Sequence, residues 1–370
     1  MKSKMPIARR VRPDVHTGCP FCTIIPAHMM RGLVRSGDDK RSSCALSTLL
    51  GSQQLRGQRT MLGVLGAVSL MTPAGVKRRT IYDAQKASEL PGVLVRGEGG
   101  AKGKDRMVNE AYDHAGVVYD FFSKVYGRNS IDDRGMRLDA TVHFRQDPTE
   151  SFDNAFWNGT QMIYGDGDGE TFIRFTKCLE VIAHELTHGI TQYEAGLKYH
   201  GQSGALNESF SDVFGSLVKQ WKKKQTAAKA DWLIGAGMLS KSVNGIALRS
   251  LKEPGSAYDD ERFGGKDPQP GHMKDYLKLP DTRPGDNGGV HINSGIPNRA
   301  FYLVAHQLGG YAWERAGKIW YDALCNRIRA DSTFKTAAKA TIDSASSLFG
   351  DASAECKAVK AAWKKVGVLS

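Results

Sequence analysis

The sequence predicts an α+β molecule of two domains, β-rich in its first half and helical in its second, with a helix carrying paired histidines between them. Three observations lead there. Between residues 61 and 178, short alternating stretches (138–144, 161–164 and 172–175) are separated by Gly- and Asp-rich turns, the pattern of half-buried strands. Beyond them, apolar residues recur at helical spacing. The chain has 370 residues, and the roughly 290 that follow its leading segment suffice for two domains sharing a cleft.

The leading segment differs in composition from everything behind it. Residues 1–80 hold fourteen Lys and Arg against three Asp, so nearly all of the net charge of +12 lies there and the body is close to neutral. Nucleic-acid binding wants a basic stripe on a folded domain, so no nucleic-acid partner is expected. No apolar core follows the basic start within thirty residues, so no secretory signal is visible. The apolar run 61–72 is too short to span a bilayer, and no membrane attachment is expected. It reads as a buried strand opening the body. Within the leader, residues 44–55 read as a helix. Cys19 and Cys22 form a C-x-x-C with no second pair to complete a zinc ribbon.

One helix, 108–126, interrupts the strands. Next comes the most informative stretch, His184-Glu185-Leu186-Thr187-His188. Histidines four apart lie on one helix face, one turn above each other, so their imidazoles can converge on one ion, and Zn²⁺ is the usual occupant. Glu185 then stands beside the ion, placed to take a proton from water. A second amphipathic helix follows, with Leu206, Phe210, Val213, Phe214, Leu217 and Trp221 on its apolar face and Ser203 as N-cap. Glu208 and Asp212 lie four apart on its polar face. Glu208 can be a third ligand, and Asp212 can accept the second ring N–H of a ligand histidine. Residues 250–289, rich in Gly, Pro and Asp, form a long irregular run of the kind that carries function. Helices are then expected at 300–308, 313–329, 333–348 and 354–366.

These residues carry a family resemblance. His184 to His188, Asn207-Glu208 and Asp212 resemble the thermolysin family of zinc metallopeptidases, whose catalytic ion is held by two histidines and a glutamate. Residues 154–159 (NAFWNG), 164–169 (YGDGDG) and 286–296 (DNGGVHINSGI) match further family segments in the same order. The leader, with CPFCTIIPAHMM at 19–30, is similar to the short propeptide of the protealysin branch, although only Pro26 remains of its paired prolines. The resemblance implies a propeptide over 1–60, an N-terminal peptidase domain over 61–198 and a helical C-terminal domain over 199–370. It implies a secreted zinc endopeptidase made as a zymogen, with its own propeptide as inhibitor and peptides or proteins as substrates. With no signal visible, a cytoplasmic location is the alternative. His291 and Tyr199 would stabilise the oxyanion, Asp286 would orient His291, and Asn154 and Ala155 would pair with the substrate backbone. Arg249 would sit just past the scissile bond, with Leu248 and Val181 lining an apolar pocket for a bulky hydrophobic residue.

One departure concerns calcium. Thermolysin carries a double calcium site, and the matching positions here include Lys219 and Ala236, with Glu180 the one acid. An ammonium cannot bind Ca²⁺, so a Lys219–Glu180 ion pair with weak or absent calcium dependence is expected. Among the remaining histidines, His114, His143 and His306 read as structural or surface residues, and spacing gives no role to His200 or His272. Cys178 reads as a packed thiol, and pairing of Cys325 with Cys356 is open. An aminopeptidase lacks its expected acidic cluster here. A binding scaffold with a vestigial site is opposed by the completeness of the chemical residues.

Overall fold

The computed structural model describes residues 22–62, 73 and 75–370. A two-residue strand, β1 (Cys22–Thr23), opens it, followed by helices α1 (Ala27–Arg35) and α2 (Asp39–Leu62). The apolar run expected as an opening strand begins inside α2, and past Leu62 it lies outside the described residues, as does Cys19.

Next come β2 (Arg79–Asp83), β3 (Val93–Arg96), α3 (Arg106–Tyr126), β4 (Leu138–Val142), β5 (Ala155–Trp157) and β6 (Met162–Tyr164). They form a mixed sheet in the order β1-β5-β6-β4-β2-β3. The β2–β4 and β4–β6 pairs are parallel, and β5–β6 and β1–β5 are antiparallel. Helix α3 starts where Asp105 accepts from the backbone N–H groups of Met107 and Val108, and it ends at Gly127, left-handed at φ 69°. Ala111, Ala115, Val118 and Phe122, spaced three to four apart, are buried against the core. The stretch 172–175 is not a strand. Phe172 makes a single bridge to Leu239, and Phe175–Lys177 is a 3₁₀ turn. Phe172 and Phe175 are both fully buried, a spacing of three that a turn serves and an alternating strand cannot.

The helical half begins with α4 (Leu179–Glu194) and α5 (Gly201–Lys223). Every residue from Glu180 to Thr191 is buried, so α4 runs through the middle of the molecule. Helix α5 approaches it closely at Gly215, where a Cβ would lie 2.6 Å from the Glu180 carbonyl oxygen. Ser203 is not the N-cap. His200 occupies that position, and the Ser203 hydroxyl sits within the first turn, donating to the His200 carbonyl at 2.9 Å. The irregular run holds two small antiparallel pairs: β7 (Leu233–Ile234) with β8 (Arg249–Ser250), and β9 (Asp259–Asp260) with β10 (Gly265–Lys266).

Helices α6 (Asp286–Asn293), α7 (Gly295–Leu308), α8 (Ala316–Asn326), α9 (Phe334–Phe349) and α10 (Ala354–Lys365) complete the chain. Cys325 and Cys356 are buried thiols and no disulfide joins them. Among the described residues, no helix is long and apolar enough to cross a membrane.

The expected ion pair between Lys219 and Glu180 is present. The Lys219 ammonium lies 3.2 Å from Glu180 and 2.9 Å from Asp231, and it also donates to the Leu233 carbonyl at 3.2 Å. Burial opposes its charge, but the two carboxylates outweigh burial and hold its pKa above the ordinary lysine value. His143 bridges Asp105 and Asp166 at 2.8 and 2.7 Å, and His114 contacts the Thr176 carbonyl at 3.0 Å; both serve structure.

Candidate active site

Helix α4 presents His184 and His188 on one face, as the four-residue spacing requires, and α5 brings Glu208 opposite them. Among the described residues, these three form a cluster whose potential ligand atoms all lie within 4.8 Å of one another. The outer ring nitrogens are committed elsewhere. His184 Nδ1 is 2.8 Å from Asp212, and His188 Nδ1 is 2.8 Å from the side-chain oxygen of Asn207 and 3.1 Å from the Ser211 hydroxyl. A carboxylate and an amide oxygen only accept, so both Nδ1 atoms carry protons and both Nε2 lone pairs turn inward. Those Nε2 atoms are 3.0 Å apart. Two facing lone pairs repel unless a proton or a metal cation lies between them.

Glu208 completes the arrangement. Its Oε2 makes no hydrogen bond, although it is fully buried and 3.4 Å from His184 Nε2. Two inward imidazoles and an orphaned carboxylate oxygen are the donor set that zinc takes, so the residues fit that ion. Burial lowers His188 to about 3, leaving its lone pair available. Burial also opposes charge on His184, but Asp212 and Glu208 outweigh it and raise that residue to about 9.

Asp212 does more than orient His184. Its carboxylate accepts from Arg249 Nε at 2.9 Å and Nη2 at 2.9 Å, and from Asn298 at 2.9 Å. All of this is buried, so one carboxylate ties His184 to Arg249.

Glu185 lies beside the cluster, fully buried. One carboxylate oxygen accepts from the Trp157 backbone N–H at 3.1 Å, and the other has no hydrogen-bond partner. Burial, with the Glu208 charge adding to it against His184, pushes Glu185 up to about 8, and a cation held nearby favours its ionised form. A carboxylate at this position can therefore take up and return a proton near neutral pH.

Helix α6 supplies His291 through an unusual start. Asp286, Asn287, Gly288 and Gly289 all have positive φ, at 55°, 49°, 81° and 77°. Gly adopts that conformation without penalty and Asn tolerates it, which explains the DNGG sequence. The turn lets the Asp286 carboxylate reach forward, accepting from the His291 backbone N–H at 2.8 Å and contacting its Nδ1 at 2.6 Å. Burial opposes charge on His291, but Glu208 and Asp286 outweigh it and raise its pKa. Its Nε2 is 3.1 Å from the Tyr199 hydroxyl, which donates to Glu208.

The expected substrate strand is already covered. β1 pairs antiparallel with β5, Cys22 opposite Trp157 and Thr23 opposite Phe156. The Ile24 N–H donates to the Ala155 carbonyl at 3.2 Å and the Ile25 N–H to the Asn154 side chain at 3.1 Å. His291 Nε2 donates to the Thr23 carbonyl at 3.0 Å, and Arg249 Nη1 to the Ile24 carbonyl at 3.0 Å. Each predicted site residue is therefore brought to one cleft, save that Tyr199 faces Glu208 rather than a carbonyl of the bound strand. The sequence reading gave no role to Ser211, Asn298 or the side chain of Asn207. Asn207 and Ser211, four apart on α5 and each beside an acid of the Glu208–Asp212 pair, were a usable signal; Asn298 was not.

Comparison with known proteins agrees. The profile described as "Thermolysin metallopeptidase, catalytic domain" matches residues 55–192, and "Thermolysin metallopeptidase, alpha-helical domain" matches 195–368. An "Extracellular metalloprotease" of Pectobacterium carotovorum subsp. carotovorum is 50% identical over 350 residues, 94% of this chain and 97% of its own. A "Thermolysin" of Alicyclobacillus acidocaldarius is 38% identical over 296 residues, 78% of this chain and 50% of that protein. The precursor of protealysin, a metalloproteinase from Serratia proteamaculans, superposes with a TM-score of 0.84 at 50% identity, covering 94% of this chain and all of that one. The chain belongs to the thermolysin family of zinc metallopeptidases, in precursor form.

Proposed function

We propose that the mature enzyme cleaves peptide bonds preceding bulky hydrophobic residues, and that the propeptide over 1–60 holds it inactive, with Cys22–Ile25 lying in the substrate cleft. His184, His188 and Glu208 would hold the zinc, which supplies an acidified water and polarisation of the scissile carbonyl when bound. Glu185 takes the proton released on attack and delivers it to the leaving amine, a double role suited to a buried carboxylate titrating near neutrality. His291, its pKa raised by Glu208 and Asp286 against burial, stabilises the developing oxyanion, with Tyr199 beside it. Asn154 and Ala155 take the substrate backbone as an added strand. Arg249, locked by Asp212, holds the carbonyl one residue further on. Val181 and Leu248, both buried, belong to the apolar lining that favours a large hydrophobic side chain there.

The single observation that carries this reading is the pairing of β1 with β5 while His291 and Arg249 hold successive carbonyls of the same strand. It is how a peptide substrate would be gripped. Removal of the leader by a cut within the basic stretch 56–79 would leave a β-rich domain over 61–198 and a helical domain over 199–370. Export to the outside of the cell accords with the extracellular relative.

The test is turnover of internally quenched peptides by the matured, zinc-loaded enzyme. Leu or Phe after the scissile bond should exceed Asp or Gly, and His291→Ala should lose roughly 10²–10³ in turnover, the usual effect of removing one oxyanion donor. Indifference to that residue, or near-wild-type turnover in the variant, would contradict the assignment.

A further inference from the structure

We infer that the Thr23–Ile24 peptide bond is itself the first processing site of the zymogen, cut within the same molecule. The inference rests on the catalytic roles just proposed. A bound strand can block a protease by running the wrong way or by holding its scissile position off the reacting groups. This strand runs antiparallel to β5 and meets, group by group, the partners proposed for a substrate. The carbonyl on the oxyanion donor is that of Thr23, at 3.0 Å from His291 Nε2. The same nitrogen is 3.6 Å from the Glu208 carboxylate, so one imidazole touches both the bound strand and the His184–His188–Glu208 cluster. The next carbonyl, that of Ile24, is on Arg249, and the Ile24 and Ile25 N–H groups are on Ala155 and Asn154. Ile24 is fully buried in the apolar cluster that includes Val181 and Leu248. A bulky hydrophobic residue thus follows the bond that faces the reacting groups.

The step is an ordinary hydrolysis. Water oxygen bonds to the Thr23 carbonyl carbon and the bond from that carbon to the Ile24 nitrogen breaks. Both water protons end on the nitrogen, with Glu185 as carrier, leaving a Thr23 carboxylate and an Ile24 ammonium. The cut does not open the cleft. Ile24, Ile25, Met29, Met30 and Leu33 remain buried, and α1 stays seated where Gly32 meets the Arg262 carbonyl, its Cβ position 2.5 Å away. Activity therefore waits for a second cut beyond α2.

The experiment adds zinc to the purified full chain and follows intact mass and reporter-peptide hydrolysis together at several protein concentrations. A 24–370 species should form first, at a rate independent of concentration and absent in Glu185→Gln, while reporter hydrolysis stays suppressed until the later cut. Maturation to an enzyme that hydrolyses the reporter without any terminus at Ile24 would overturn the processing site and leave the catalytic reading intact. A zinc-loaded chain that cuts neither bond nor reporter would overturn both.

Discussion

At the scale of single residues, Asp212 decides how the site is held. It binds His184 on one side and Arg249 and Asn298 on the other, with no solvent to compensate for its loss. Such outer partners typically contribute 10–100-fold to metal affinity. Asp212→Asn should therefore weaken zinc binding by roughly that factor, read by competition with a chromophoric chelator; unchanged affinity would refute the coupling. The charge on His184 gives a second expectation. Because Asp212 and Glu208 raise it to about 9 against burial, zinc must displace its proton at neutral pH, and affinity should fall about tenfold for each unit of acidification. Calorimetry in buffers of different ionisation enthalpy should count about one proton released per zinc. The spacing of His184, Glu185 and His188 made this part of the site legible, because one helix face is local information. Asn298 was not legible, because only the packing of α7 brings it to Asp212.

At the scale of elements, the leader is held by its fit and by two buried titratable groups of opposite sense. On the leader, His28 Nε2 meets the Tyr258 hydroxyl at 2.9 Å, and burial lowers it to about 4. A histidine depressed in the folded state stabilises docking above its ordinary value near 6.5, and that contribution is lost as pH falls toward 4. On the body, Asp153 is covered by α2, taking a hydrogen bond from Cys44 at 3.3 Å and donating its backbone N–H to the Thr48 hydroxyl at 2.9 Å. Burial, reinforced by the nearby charges of Asp168 and Glu150, pushes Asp153 well above the ordinary carboxylate range. A raised carboxyl stabilises docking below that ordinary range, and the contribution is lost as pH rises through the folded value. Protection factors of the α2 amides in the Glu185→Gln zymogen, corrected for intrinsic exchange at each pH, should fall toward both acid and alkali, and Asp153→Asn should remove the alkaline limb alone. A flat profile would contradict it. Of the leader's two helices, only the middle of α2 was legible, as the helix-like stretch 44–55, and α1 was not. β1 was not, since two residues carry no period and the strand exists only because β5 offers an edge.

For the whole molecule, the division into a sheet-bearing half and a helical half followed from hydrophobic period, because both periods are properties of long segments. The 172–175 stretch misled because two buried Phe three apart satisfy a turn as well as a core. The helical half also holds the buried Lys219–Glu180 ion pair. Lys219 and Glu180 are each buried, so Lys219→Ala would leave an uncompensated carboxylate at a cost of about 3–5 kcal/mol. Thermal unfolding of the zinc-loaded protein should lose several degrees in that variant. Added calcium should not raise the wild-type midpoint, and a calcium-dependent rise would contradict the ion-pair replacement. The central claim, that the cleft occupied by the leader is a zinc peptidase site, is tested most directly by one comparison. Hydrolysis of a quenched peptide with Leu or Phe after the scissile bond is measured alongside N-terminal mass for the wild type, the wild type with a zinc chelator, and Glu185→Gln. The account predicts hydrolysis and leader loss in the wild type, and neither in the two controls. A processed, zinc-loaded wild type that hydrolyses nothing, or a Glu185→Gln protein that matures and cleaves, would contradict it.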